Sequence, residues 1–430
     1  MSPAIQCLIV VSIIAILFVT EAIPLAITAI VGTIACGLLG FIPVSTVFSG
    51  LSNGTIVLFG GMFVVGSAMF HTGLAQKIGR SVVEKMGKSE NSLMFAIMLI
   101  SSLLSAFLSN TGTVACLMPV VLGICSAAKI PASRQLMPLA YGAGFGGLIT
   151  MVGSPPNLIA VNALKTAGLE PFSFFEFAWA GVPMTVLGIL YMMLVGKHFL
   201  PYKELDEIDV NELAKDMDEE IIATTEDTRK QWYSGIILVV VVVTMMFDSK
   251  WFTLEIAAVL GAAAAVLTGC LNEKQAYASI DWVTIFLLAC MMPVSTALEK
   301  TGAGALIASW VVSAMGGAPS PYLVTAVLFS VGCLMTQFMS NTAAAALLCP
   351  IAISIAKQIG AAPQAVMMAI VVGASCAFVT PVGTPPNTLI LGPGKYKFID
   401  YMKAGWGLLI VGFIVAMSIV PIVWPFFPSK

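Results

Sequence analysis

Apolar residues run through this chain in blocks long enough to cross a bilayer, and polar residues are confined to the gaps between them. A spanning helix needs about 20 apolar residues. In the first half such blocks cover 4–20, 23–42, 55–72, a long segment 135–165, and 176–197. In the second half they cover 233–247, 252–270, 282–299, a long segment 363–394, and 404–427. Between the third and fourth block of each half lies one more apolar stretch, 92–127 and 321–358. Each carries a polar tripeptide near its middle, Ser109-Asn110-Thr111 and Ser340-Asn341-Thr342. At some 36 residues each stretch is short for two full spans. It suits a re-entrant hairpin that enters the membrane, turns at the polar tip and leaves on the same side.

The polar interruptions come in pairs. Ser109 is followed 44 residues later by Gly153-Ser154-Pro155-Pro156-Asn157, and Ser340 is followed 43 residues later by Gly383-Thr384-Pro385-Pro386-Asn387. The first motif recurs at an offset of 231 residues and the second at 230. His71-Thr72-Gly73 against Lys300-Thr301-Gly302, and Pro119 against Pro350, keep nearly the same offset. With the hairpins counted as zero crossings, each half has five spans, and an odd number makes the second half enter the membrane upside down. The pattern therefore predicts an all-α polytopic membrane protein of two inverted-topology repeats, 1–200 and 231–430, joined by a linker at 201–230, with interrupted spans at the site between them.

Composition sharpens this picture. Charged residues are 10% of the 430 and apolar residues 59%, with a mean hydropathy of +0.99; a soluble domain carries about 25% charged residues. The chain is thus a multi-pass protein of the cell's inner (plasma) membrane, with the lipid bilayer as a partner and no nucleic-acid partner. The net charge of -2 hides one asymmetry: 11 of the 22 acidic residues lie between Glu204 and Asp227, in the linker. Lys and Arg set the orientation. With 73–134 and 198–232 placed on the cytoplasmic side, fifteen basic residues lie inside and five outside. Residues 74–89 alternate as a helix lying in the interface would; their counterpart, 303–317, is almost uncharged. Trp232, Trp251, Trp282, Trp406 and Trp424 fall near span ends, where aromatic belts form. The nine cysteines sit in apolar stretches without a CxxC and read as small buried hydrophobes. No basic segment precedes the first block, so no cleaved signal peptide is read.

Backbone leaves a helix at membrane depth only where protein or a water-lined cavity satisfies it, because each orphan group costs several kcal/mol. Ser, Asn and Thr donate, accept and cap a new helix. Gly153 and Gly383 allow an unwound backbone, and Pro-Pro cannot continue a helix but can begin one. Four breaks then meet, each with a helix N-terminus worth roughly half a charge. Together they present about +2 to an anion, while the carbonyl-rich C-termini suit a small hard cation such as Na⁺. No Lys, Arg, Asp, Glu or His falls within nine residues of either Ser-Asn-Thr or either Gly. Bound cations and dipoles together would hold a dianion, and the two would be coupled.

The paired Ser-Asn-Thr motifs, the paired Gly-[Ser/Thr]-Pro-Pro-Asn motifs and the stretch Thr20-Glu21-Ala22-Ile23-Pro24 resemble the divalent anion/sodium symporter family of di- and tricarboxylate and sulfate carriers. The resemblance covers nearly the whole chain. It implies a homodimer whose protomers each have a static scaffold and an elevator-like transport domain. It implies at least two Na⁺ sites, one using Ser105, Ser109, Asn110 and Gly153, the other Thr336, Met339 through its carbonyl, Asn341 and Gly383. The substrate carboxylates would meet Asn110, Thr111, Ser154, Asn341, Thr342, Thr384 and Pro385. Members of that family commonly carry a further span before the Thr-Glu-Ala-Ile-Pro stretch, and this chain begins too late for it. That leaves either a ten-span variant or an incomplete N-terminus.

The remaining ionisable residues are assigned structural places. Glu21 and Glu255 lie near span starts, and Asp281, Lys300 and His71 at membrane interfaces. The resulting expectation is a cation-coupled symporter of small divalent or trivalent anions, foremost C4-dicarboxylates. Its alternatives are a dicarboxylate exchanger without Na⁺ coupling, an oxyanion exporter or cation antiporter on a related inverted repeat, and a channel. An enzyme is not expected: the two histidines, His71 and His198, both fall near predicted interfaces.

Overall fold

The structure is a computed structural model describing residues 1–86, 89–203, 227–247, 252–317 and 319–427, and no β-strand occurs among them. Residues 204–226 of the acidic linker, Trp251, and Lys88, Lys215, Lys250 and Lys430 lie outside the described residues.

The first helix shows why the apolar blocks read as they do. In α1 (Pro3–Thr20), Cys7, Val11, Ile14 and Phe18 are buried while Ile5, Ile9, Ile13 and Ile16 are exposed. Both faces are apolar, so one packs on protein and the other meets lipid. Next come α2 (Leu25–Leu38), α3 (Gly54–His71) and α4 (Leu74–Met86), the last carrying the expected amphipathic segment. The first Ser-Asn-Thr joins α5 (Glu90–Ser105) to α6 (Asn110–Ala128). The long block 135–165 is broken into α7 (Leu136–Gly146) and α8 (Pro155–Thr166), and α9 (Ala178–Leu194) completes the first half.

The second half follows the same order: α10 (Thr228–Met246), α11 (Leu254–Leu267), a short α12 (Glu273–Ala278), α13 (Trp282–Lys300) and α14 (Ala303–Ala314). The second Ser-Asn-Thr joins α15 (Pro321–Met335) to α16 (Asn341–Gln358). The block 363–394 is broken into α17 (Pro363–Ser375) and α18 (Pro385–Leu391). The chain ends in α19 (Phe398–Ile414), a π-helical turn (Val415–Ile419) and α20 (Val420–Val423).

Among the described residues six helices are long and apolar enough to cross a membrane. Five match expected spans; the sixth is Asn110–Ala128, the second arm of the first hairpin. At 19 residues it is about 28 Å long, longer than a re-entrant arm needs. The shorter apolar helices, such as Leu25–Leu38 and Leu254–Leu267, bring the other blocks to lengths of 10–17 residues.

The two halves interlock through matched contacts. α2 packs on α13 as α11 packs on α3, α1 on α14 as α10 on α4, and α8 on α16 as α18 on α6. Within the halves, α5 packs on α7 and α15 on α17. The deepest elements are α7 and α17, buried along nearly their whole length. Tyrosines tie the broken segments to their surroundings: Tyr141 Oη of α7 donates to Phe378 O at 2.8 Å, and Tyr401 Oη of α19 to Asn387 O of α18 at 2.7 Å. All nine cysteines are buried and free. Trp232, Trp282 and Trp406 are exposed, as belt residues would be. Trp424 is not: it is buried against Phe172, with its indole N–H on Glu176. It serves packing there.

Candidate functional site

Each Ser-Asn-Thr ends one helix and starts another. Ser109 Oγ accepts from Gly112 N at 3.1 Å and Ser340 Oγ from Ala343 N at 3.2 Å, so serine is the N-cap and Asn110 and Asn341 are the first helical residues. Ser154 and Thr384 occupy the cap positions of α8 and α18, with Pro-Pro as the first two helical residues, where the missing N–H costs nothing.

The unwound stretches before those caps are braced in the same way. Asn157 Nδ2 donates to Gly147 O (2.9 Å) and Thr150 O (2.7 Å); Asn387 Nδ2 donates to Ala377 O (2.7 Å) and Thr380 O (2.9 Å). The asparagine of each Pro-Pro-Asn thus satisfies carbonyls that the broken helix leaves open. Thr150 Oγ1 reaches Ala106 O, and Thr380 Oγ1 donates to Gln337 O at 2.7 Å, tying each break to its hairpin tip. Gly153 and Gly383 are required by close approach. A Cβ at Gly153 would sit 2.7 Å from Gly147 O, and one at Gly383 would sit 2.3 Å from Thr336 O.

The four breaks surround one cavity of about 350 Å3, at the small end of ligand pockets, which run from roughly 300 to 1,000 Å3. Asn110, Thr111, Ser154, Asn341, Thr342, Thr384 and Pro385 all line it, with Ser109, Gly153 and Gly383. Ser105, Thr336 and Met339 are buried. The far wall is built by Phe59 and Met62 of α3, Leu25 at the start of α2, and Thr284 and Leu287 of α13.

Behind the cavity wall, each motif asparagine turns one end of its amide onto a cluster of oxygens. That end of Asn110 lies 2.6 Å from Ser105 Oγ and 3.2 Å from both Ala143 O and Gly153 O. That end of Asn341 lies 2.6 Å from Thr336 Oγ1, 3.1 Å from Gly383 O and 3.3 Å from Ala374 O. A half-turn of the amide exchanges its ends. With nitrogen inward the amide donates into the cluster. With oxygen inward, four neutral oxygens converge with one hydroxyl proton among them, a donor set that suits a hard cation. Among the described residues no group of three His, Cys, Asp or Glu side chains could hold a metal ion.

Three participants escaped the sequence. Ala143 and Ala374 contribute main-chain carbonyls, which leave no trace in residue type. Asp281 lines the cavity, whereas its position at a span start placed it at an interface. Its carboxylate caps α13, accepting from Thr284 N at 3.2 Å and from Thr284 Oγ1. The packing of α2 on α13 carries that helix start to the cavity, a contact that local sequence does not report. His71, by contrast, bonds to Ser67 of its own helix.

Relatives of this chain are named transporters. An uncharacterized transporter of Haemophilus influenzae is 30% identical across 96% of this chain and 90% of its own length. The sodium-dependent dicarboxylate transporter SdcS of Staphylococcus saprophyticus is 25% identical across 94% of this chain and 83% of its own. In fold the chain is similar to the YdaH transporter of Alcanivorax borkumensis, with a TM-score of 0.63 at 14% identity over 99% of this chain and 100% of the other. It is equally similar to the MtrF efflux pump of Neisseria gonorrhoeae, with a TM-score of 0.63 at 13% identity over 100% and 96%. A family model described as citrate transporter (CitMHS) matches residues 15–370 and 328–429. These helices, this cavity and that match identify a multi-pass membrane transporter, and the chain belongs to the citrate transporter family.

Proposed function

We propose that this protein is a secondary active transporter that carries a small dianion, foremost a C4-dicarboxylate, in symport with Na⁺. One observation carries the reading: two matched oxygen clusters flank a single cavity lined by both Ser-Asn-Thr tips and both Pro-Pro helix starts. Cations in the clusters would lie behind the helix N-termini that face the anion. Without them the dianion would meet only partial charges and the carboxylate of Asp281. Coupling therefore follows from electrostatics, with no basic side chain needed in the cavity. SdcS, named a sodium-dependent dicarboxylate transporter, supports the choice of ions.

In this reading residues 1–200 and 231–430 are inverted-topology repeats joined by the linker at 201–230, which the exchange of matched contacts between the halves supports. The hairpins and broken helices form the moving body of an elevator-type mechanism, α2, α3, α11 and α13 belong to the static wall, and two protomers associate through that wall. The first cation site comprises Ser105, Asn110, Gly153 and the Ala143 carbonyl, with Ser109 held as the cap beside it. The second comprises Thr336, Asn341, Gly383 and the Ala374 carbonyl, with Met339 preceding it.

The deciding experiment is counterflow of labelled succinate in proteoliposomes with Na⁺, with K⁺ alone, and with an imposed proton gradient. Stimulation by Na⁺ alone is expected. Asn110→Ala and Asn341→Ala should each abolish uptake while the protein stays monodisperse in detergent. Normal uptake by both variants would refute the site, and cation-independent uptake that requires internal anion would show an exchanger.

A further inference from the structure

Away from the transport cavity, the amphipathic helix α4 and the lipid-facing helix α10 enclose a groove of about 590 Å3. One end is polar: Lys77 Nζ donates to Gln231 Oε1 at 3.1 Å, and the indole of Trp232 stands beside them, 69% exposed. The rest is apolar, with Ile78 and Val82 on one side and Ile236, Val239 and Val240 on the other. Gly235 opens the floor, since a Cβ there would sit 2.9 Å from Leu74 Cδ2. From Trp232 to Val240 the helix rises about 12 Å, enough to receive the upper part of an acyl chain.

Two features separate this groove from an ordinary lipid-facing seam. Lys77 has no carboxylate partner among the described residues, and the bond to Gln231 uses one of its three ammonium donors. The matched helix pair, α1 against α14, is mostly apolar, and neither helix carries a lysine. The architecture therefore does not require a cation at that seam. A lysine beside a tryptophan at the polar end of an apolar groove has the chemistry of a phospholipid headgroup site.

We infer that the groove between α4 and α10 holds one anionic phospholipid, its phosphate on Lys77 and one acyl chain along Ile236, Val239 and Val240. Because α4 leads from α3 into the first hairpin, the lipid braces the hairpin's approach against α10, where Thr72 Oγ1 and Ser234 Oγ already meet at 2.8 Å.

The test is native mass spectrometry of the full chain released from nanodiscs of phosphatidylglycerol, phosphatidylcholine or equal parts of both, with thermal unfolding in each. The wild type should retain one phosphatidylglycerol in preference to phosphatidylcholine. Lys77→Gln should reduce that preference about fivefold, the factor one interfacial lysine supplies. Val239→Trp, at a lipid-exposed position that tolerates bulk, should fill the groove and lower retention of either lipid. Both variants should unfold in phosphatidylcholine at the wild-type temperature. A preference unchanged in Lys77→Gln, retention unchanged in Val239→Trp, or equal retention of the two lipids by the wild type would each overturn the proposal.

Discussion

Replacing Asn110 by Asp tests whether a cation occupies the first oxygen cluster. The carboxylate keeps the shape of the amide and loses its NH₂, so it can no longer donate to Ala143 O and Gly153 O, each 3.2 Å away. Ala143 O retains a bond from Gly147 N at 3.1 Å, and the Ser105 hydroxyl can donate to the new carboxylate. Among the described residues no basic side chain lines the cavity to pair the new charge. Leaving a buried charge unpaired costs about 3–5 kcal/mol, and the low end applies because Asn110 is half-buried. Na⁺ among these oxygens would pair that charge. A ligand at 100 times its Kd stabilises the folded state by about 2.7 kcal/mol, so the variant itself should gain about that much as Na⁺ replaces choline, and its deficit should shrink to the extent that its carboxylate binds Na⁺ more tightly than the wild-type amide. The assay is thermal unfolding of purified wild type and Asn110→Asp across a Na⁺ titration at constant ionic strength. A deficit that is identical in Na⁺ and choline, together with a wild type indifferent to Na⁺, would mean that the amide simply donates into the cluster and that no cation binds there.

Two further substitutions separate bracing from charge. Asn387→Ala removes both donors that hold Ala377 O and Thr380 O in the second unwound stretch. With about 1–3 kcal/mol for each buried group left unsatisfied, unfolding in detergent should shift by about 2–6 kcal/mol, and an unchanged melting temperature would show that the stretch holds itself. Asp281→Asn keeps a side chain that caps α13 equally well and removes a negative charge from the cavity. A dianion about 8 Å away in water-like surroundings is relieved of about 1 kcal/mol, so KM for the anion should fall about fivefold with Na⁺ stimulation intact; a raised KM would assign Asp281 an attractive role.

How much of this could be read from the chain alone depends on the range of the interaction involved. The breaks at Ser109 and Ser340 and the restarts at Pro155 and Pro385 are local events, decided by caps and missing N–H groups within a turn of helix. They were legible, as were the apolar blocks that become α1, α3, α10 and α13. The amphipathic run after His71 likewise formed α4. Trp424 was not legible, because its burial depends on Phe172 and Glu176 some 250 residues earlier.

The amino-acid sequence by itself determined a helical membrane protein, the places where its helices break, and the pairing of those breaks at one offset. Each of these follows from hydrophobic length and from backbone chemistry within a few residues. Only the tertiary structure decided that Ala143 and Ala374 lend carbonyls to the oxygen clusters, that Gly383 is pinned by the Thr336 carbonyl, and that Asp281 reaches the cavity. The physical reason is common to all three. Each depends on contact between helices distant in the chain, α5 on α7 and α15 on α17 for the carbonyls and α2 on α13 for Asp281, rather than on any residue's neighbours in the chain.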